Sequence, residues 1–97
     1  MAEEYVKFRY AITYGTITPE FMKLVIDERS KALDHYMKEA EKYGVKVLLW
    51  GHPWGTSENL VIVYDFGEKI ENYGKFQLAM RGKHPLTDAR TNLVLME

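Results

Sequence analysis

The stretch VKVLLWGHPWGTSENLVIVYD (residues 45–65) decides the fold, because two apolar runs flank a turn within it. The run from Val45 to Trp50 is apolar at nearly every position, and the run from Leu60 to Tyr64 is β-branched and aromatic, so both are predicted to be strands. The segment from Gly51 to Asn59 carries two glycines and a proline and is predicted to be a turn. Because this connection is too short for a crossover helix, the two strands should form an antiparallel hairpin.

A strand and a helix precede this hairpin. The stretch from Tyr5 to Tyr14 alternates with period two, which predicts a strand. Thr18 can cap the following helix and Pro19 suits its first position. Apolar residues recur at helical spacing from Met22 to Ala40, and Gly44 is placed to end the helix in the left-handed conformation.

A helix and a strand follow the hairpin. Asp65 and Glu68 have the spacing of a capping box, so we predict a second helix from about Gly67 to Arg81. The segment from Lys83 to Arg90 is predicted to be a loop. The apolar run from Leu93 to Met96 is predicted to be the last strand.

The order strand-helix-strand-strand-helix-strand predicts one α+β domain over residues 1–97. Two strand-helix-strand units joined by a hairpin give a four-stranded antiparallel sheet with both helices on one face, the ferredoxin-like βαββαβ arrangement. The middle strands carry apolar residues on both faces: Leu48 and Trp50 against Val47 and Leu49, and Ile62 and Tyr64 against Val61 and Val63. Since the helices cover one face only, the other should be covered by a second subunit or a ligand, and we expect a second copy in a homodimer.

Composition excludes several kinds of protein. Thirteen basic residues nearly balance fourteen acidic ones, so no basic stripe for nucleic acid is expected. The chain has no cysteine, which excludes disulfides and thiol chemistry. No apolar run approaches the ~20 residues that span a bilayer, and the acidic N-terminus lacks the features of a signal peptide. We therefore expect a cytoplasmic protein that binds neither membranes nor nucleic acid.

The chain resembles the dimeric α+β barrel superfamily, in particular its small uncharacterised members. The residues that carry the resemblance are Gly55 to Asn59 followed by Val61 to Asp65, together with the element order and the two-sided apolar sheet. The resemblance implies a homodimer with a cavity in each subunit. Members include cofactor-independent monooxygenases, haem-degrading enzymes, dehydratases and lyases, and no catalytic motif of theirs matches this chain residue by residue.

Trp50, His52 and Trp54 are the first candidate site. Two aromatic side chains and an imidazole that titrates near neutrality could bind a planar molecule and move a proton, and His84 could approach the same place. The alternative is that Trp50, Trp54 and a His-Pro turn close the hairpin and line the dimer contact.

Arg9 and Lys7 are the second candidate, because a guanidinium facing the cavity could hold an anionic substrate. Alternation does not determine which face they occupy, so they could instead point outward, or Arg9 could pair with Asp65 or Glu58 of the other subunit. Tyr64 is the tyrosine that we expect to act as an acid or hydrogen-bond donor.

The remaining polar residues predict no further chemistry. Arg29 in the helical stripe is interpreted as reaching water, and His35 as a surface residue. No pair among His52, His84 and Asp65 has the spacing of a preformed metal site, so we predict neither a metal nor a tightly bound cofactor. Two hypotheses remain: a cofactor-independent, monooxygenase-like enzyme acting on a small hydrophobic or aromatic molecule, or a non-catalytic dimeric ligand-binding or assembly module.

Overall fold

A computed structural model describes residues 7–81, 83 and 86–96, apart from the side chain of Lys7. The elements in chain order are β1 (Lys7–Ile17), α1 (Pro19–Met22), α2 (Ile26–Lys42), β2 (Lys46–Gly51), β3 (Leu60–Asp65), α3 (Ile70–Ala79) and β4 (Leu86–Met96). The strands form one sheet in the order β2-β3-β1-β4, and all neighbours are antiparallel. The predicted ferredoxin-like fold and the β2–β3 hairpin are confirmed.

The core lies between the helices and one face of the sheet. Ile62 and Tyr64 of β3 are buried, as are Tyr36 of α2 and Phe76 of α3. The Phe76 ring contacts both tyrosine rings, with centroid distances of 5.3 Å to Tyr36 and 6.1 Å to Tyr64. Both helices therefore pack on the same face, as predicted.

The first helical segment differs from the prediction of one continuous helix. Thr18 caps α1 as expected, its Oγ1 accepting from the Phe21 N–H at 3.3 Å, and Pro19 begins the helix. The chain leaves the helical path after Met22, and α2 begins at Ile26. Gly44 follows the end of α2 with φ 76°, as predicted for a left-handed terminus.

The second half of the chain needs two corrections. Asp65 does not cap a helix: its Oδ1 accepts from the Gly67 N–H at 2.9 Å in a turn, Gly67 has φ 71°, and α3 begins only at Ile70. The fourth strand begins at Leu86 instead of Leu93. The polar residues at the start of β4 show no apolar alternation, so the sequence did not predict a strand there. They are compatible with an edge strand, and backbone pairing with β1 stabilises it.

Three irregularities in pairing change which residues share a face. In β1 a bulge lies between Phe8 and Tyr10, so Phe8 packs against the core on the side of Ala11. In β2 a bulge lies between Val47 and Leu49, so the predicted alternation fails, because Val47 and Trp50 both face the helices. In β4 the irregularity falls near Asp88, which has φ 53°.

The opposite face of the sheet, called the open face here, carries apolar side chains that no layer of the described residues covers. Its residues are Tyr10, Ile12, Tyr14, Leu49, Val61, Val63 and Val94, of which only Leu49 is more than half exposed, at 53%. The prediction that β3 is apolar on both faces is therefore confirmed. A surface of this kind is typical of an interaction site.

Candidate functional site

A cavity of about 590 Å³ lies between the α1–α2 corner, the edge strand β2 and the end of α3, and we call it the aromatic cavity. It is lined by Thr18, Glu20, Phe21, Leu24, Ala32, His35, Tyr36, Trp50, Met80 and Lys83. This volume falls within the range of about 300–1,000 Å³ found for small-molecule sites. The cavity is on the helix side of the sheet and is separate from the open face.

Three aromatic rings form the apolar wall of this cavity. Trp50 lies between the other two, with ring-centroid distances of 5.9 Å to Phe21 and 6.0 Å to Tyr36. The β2 bulge is what turns Trp50 toward the helices. Glu20, His35 and Lys83 are exposed members of the lining, so polar groups surround an apolar interior.

Arg29 holds the wall of the cavity that carries Phe21 and Leu24. Its Nη2–H donates to the Met22 carbonyl at 2.8 Å and its Nε–H donates to the Leu24 carbonyl at 3.0 Å. The guanidinium thus satisfies carbonyls that the end of a short helix leaves without helical partners. A charged residue within the apolar stripe was the sequence signal for this role. It was interpreted as a side chain reaching water, because the interruption of the helix between α1 and α2 was not predicted.

The hydroxyls of Tyr36 and Tyr64 meet inside the core at 2.6 Å. Burial raises the pKa of both phenols above the ordinary value, and Gln77 also hydrogen-bonds Tyr64. Tyr36 lines the aromatic cavity, whereas Tyr64 lines a separate cavity of about 90 Å³ with Thr13, Gln77, Leu86, Ala89 and Thr91. The hydrogen bond between Tyr36 and Tyr64 therefore links a residue of the aromatic cavity to a residue of the smaller cavity.

His52 lies apart from Tyr64. Its Nδ1–H donates to the Asn59 carbonyl at 2.8 Å across the β2–β3 loop, and its side chain is exposed. His52 and Trp50 share a groove of about 260 Å³ next to the aromatic cavity, and Phe21 and Trp50 line both. Of the other residues predicted to bind substrate, Trp54 lines neither space and His84 lies outside the described residues.

Arg9 is paired within its own chain. Its Nε–H and Nη2–H donate to the two carboxylate oxygens of Asp65 at 3.0 and 3.1 Å. Burial opposes ionisation of Asp65, but the hydrogen bonds from Arg9 and the Gly67 N–H lower its pKa below the ordinary value. Within one chain, therefore, Arg9 already has Asp65 as a carboxylate partner.

Glu58 is also paired within the chain, with Arg90 of β4. The hydrogen bond from Arg90 lowers the pKa of Glu58, and the Arg90 guanidinium lies 4.4 Å from the Tyr14 ring centroid. Arg9 lies 5.7 Å from the Tyr10 ring centroid in a similar way. Two arginine–carboxylate–tyrosine groups therefore lie at separate places on the open face.

The structure does not bring His52, Tyr64 and Arg9 together. His52 lies beside the groove, Tyr64 in the core and Arg9 at the open face. Among the residues that the structure describes, no three metal-ligating side chains cluster. None of the described helices is both long and apolar enough to cross a membrane.

Comparisons with known proteins identify the fold. Neither a protein-family model nor a curated protein sequence matches this chain. A dimeric ferredoxin-like protein from an uncultured marine organism is similar in structure, with a TM-score of 0.50, 25% sequence identity, and coverage of 95% of this chain and 98% of that one.

A chlorite dismutase-like protein is also similar, with a TM-score of 0.59 and 17% identity over 94% of this chain. This chain spans only 45% of the length of that protein, so the similarity concerns the fold alone. The chain has the ferredoxin-like fold of these proteins.

Proposed function

We propose that the protein is a homodimer that binds a small hydrophobic or aromatic molecule in the aromatic cavity. The observation that carries this proposal is the combination of about 590 Å³ of space with an apolar wall made of Phe21, Tyr36 and Trp50. Sites for small molecules are mostly apolar and carry a few polar groups that fix orientation. His35 and Lys83 are the polar groups available for this purpose at the rim.

The homodimer is supported by the open face. Ile12 and Val63 pair across β1 and β3, and Leu49 pairs with Val63 across β2 and β3, which makes the apolar surface continuous over three strands. Monomeric proteins rarely present such a surface to water. The similar protein from the marine organism is dimeric and matches this chain over nearly its whole length.

A binding role fits the geometry better than the predicted catalytic set, because His52, Tyr64 and Arg9 are in three places. A cofactor-independent, monooxygenase-like enzyme is the second candidate, supported by His35 in the cavity lining. His35 is exposed at the rim of the cavity, and an imidazole can serve as a general acid or base.

The ligand proposal is tested with 8-anilinonaphthalene-1-sulfonate, an aromatic anion whose fluorescence rises in apolar sites. Ala32→Trp places a large side chain in the cavity lining, and Lys31→Trp places the same side chain on the exposed surface of α2. We expect one saturable site per chain that Ala32→Trp weakens at least about tenfold and Lys31→Trp leaves unchanged. Equal binding by wild type and Ala32→Trp contradicts the proposal.

A further inference from the structure

Trp54 is the most exposed large apolar side chain among the described residues, at 95% exposure. It lies in the β2–β3 loop (residues 52–59) and makes no ring contact with another described residue. It lines none of the cavities described above. A tryptophan buries about 150–250 Å² when covered and is enriched among residues that dominate binding energy.

The loop that carries Trp54 is held on both sides of that residue. His52 donates to the Asn59 carbonyl at 2.8 Å, and the Asn59 side chain accepts from the Ile17 N–H at 3.0 Å. The Asn59 N–H also donates to the Gly15 carbonyl at 3.2 Å, which ties the loop to β1. Trp54 is therefore presented by a preorganised loop, so binding through it costs little conformational entropy.

The same loop borders the open face. Glu58, four residues after Trp54, pairs with Arg90, whose guanidinium lies over Tyr14 of the open face. His52, two residues before Trp54, is in the groove on the helix side of the sheet. The loop therefore lies at the end of the sheet, and through the Glu58–Arg90 pair it is next to Tyr14 of the open face.

An interface centred on the open face would gain area from Trp54 at its border. A standard interface buries about 800 Å² on each partner. In a two-fold dimer Trp54 occurs once in each subunit, and each copy can bury about 150–250 Å².

We propose that Trp54 is an anchor for a second copy of this chain, and that it packs against the partner at the border of its open face. The inference rests on the proposed homodimer and adds the residue that fixes its affinity. The occupant is another copy because the loop lies beside the open face, which the proposed homodimer covers.

Sedimentation of wild type, Trp54→Ser and Leu78→Ser tests the proposal. Leu78 is the matched control because it is 70% exposed on α3, on the side away from the open face. We expect Trp54→Ser to raise the dimer dissociation constant at least about 30-fold and Leu78→Ser to change it less than about threefold. Circular dichroism of each variant confirms that the fold is retained.

Fluorescence provides a second measurement that does not alter Trp54. The chain has two tryptophans, so Trp50→Phe leaves Trp54 as the only source of tryptophan emission. At concentrations where sedimentation detects dimer, we expect Trp54 emission to shift to shorter wavelength and acrylamide quenching to decrease, with both effects reversing on dilution.

The outcomes separate this inference from the proposed function. A wild-type mass near 11.4 kDa at high micromolar concentration overturns the homodimer and the anchor together. A dimer whose dissociation constant is unchanged by Trp54→Ser, or whose Trp54 stays fully quenchable, overturns the anchor alone.

Discussion

Tyr64 shows how a single side chain acquires a role different from the one its sequence position indicates. Alternation in β3 places it on a face with Ile62, and the structure buries both under the helices. Burial raises the pKa of the Tyr64 phenol, which keeps the hydroxyl protonated at ordinary pH. Its contacts with Tyr36 and Gln77 make it a structural hydrogen-bonding group in the core.

Tyr64→Phe should lower the free energy of unfolding by about 1–2 kcal/mol, because it removes a buried hydroxyl that contacts Tyr36 at 2.6 Å. Urea denaturation measures the change. Tyr43→Phe is the control, since the Tyr43 hydroxyl makes no hydrogen bond with the described residues, and it should change stability by less than about 0.5 kcal/mol. Equal effects of the two substitutions contradict the assignment.

The two arginine–carboxylate pairs should make stability depend on acid pH. The folded-state pKa values of Asp65 and Glu58 lie below their ordinary values, so each group stabilises the fold above its ordinary pKa. That contribution is lost as pH falls through the lowered folded-state values. Below pH 5, the thermal unfolding midpoint should fall as the pH is lowered. In the double variant Glu58→Gln/Asp65→Asn, the midpoint should change less with pH.

At the level of elements, glycines distinguish positions that look equivalent in the sequence. Gly44 has φ 76°, and a Cβ placed on it would lie 2.9 Å from the Asn72 Nδ2 atom. Gly74 is inside α3, and a Cβ there meets no atom within 4 Å. One glycine is required by backbone conformation, whereas the other only weakens its helix.

Gly44→Ala should therefore destabilise the protein by about 1 kcal/mol or more, and Gly74→Ala should stabilise it by about 0.5–1 kcal/mol. Both are measured by chemical denaturation under identical conditions, and each serves as the control for the other. A destabilising Gly74→Ala would show that something other than helix propensity governs α3.

Element order and pairing were predictable from the sequence because period-two and helical repeats are local signals. The hairpin, the Thr18 cap and the Gly44 terminus follow from residues within one turn of each other. Two features were not predictable: the break between α1 and α2, and the polar part of β4. Both depend on partners more than one helical turn away in the sequence. Arg29 binds carbonyls five and seven residues away, and β4 is held by its ladder with β1.

The candidate site was predicted less well than the fold, for the same reason. Trp50 was singled out and lines the aromatic cavity, but Phe21 and Leu24 were assigned only to a continuous helix. Bulges also altered the faces: a regular alternation placed Trp50 with Leu48, whereas the bulge places it with Val47. An apolar–polar alternation in the sequence does not reveal where a β-bulge inserts an unpaired residue.

At the scale of the whole molecule, the described chain is a slab with extents of 50 × 32 × 20 Å. The smallest dimension fits one sheet and one layer of helices, so one broad side of the sheet has no third layer. The two broad surfaces of the molecule therefore have different roles in the proposals above. The helix side contains the aromatic cavity, and the open face is available for self-association.

Val63→Lys should convert the proposed dimer to a monomer, with the dissociation constant raised at least about 100-fold, because the contact would have to desolvate an unpaired ammonium group. Val63 is suited to the test because it pairs with both Ile12 and Leu49 at the centre of the open face. Size-exclusion chromatography with light scattering measures the mass.

Leu78→Lys on α3 is the control for this substitution and should leave the mass unchanged. Binding of 8-anilinonaphthalene-1-sulfonate to the Val63→Lys monomer should persist, since the cavity lies on the helix side within one chain. A Val63→Lys protein that remains dimeric contradicts the assignment of the open face.

The bulge in β2 also has a consequence for how this protein can change in evolution. Loss of one codon from a regular strand turns every residue beyond the gap to the opposite side of the sheet. Loss of Leu48 would not have this effect, because Leu48 is the extra residue of the bulge and has no partner in β3. Loss of the Leu48 codon would leave Trp50 facing the helices, so we expect natural relatives that are shorter by one residue in β2 to have their gap at this position.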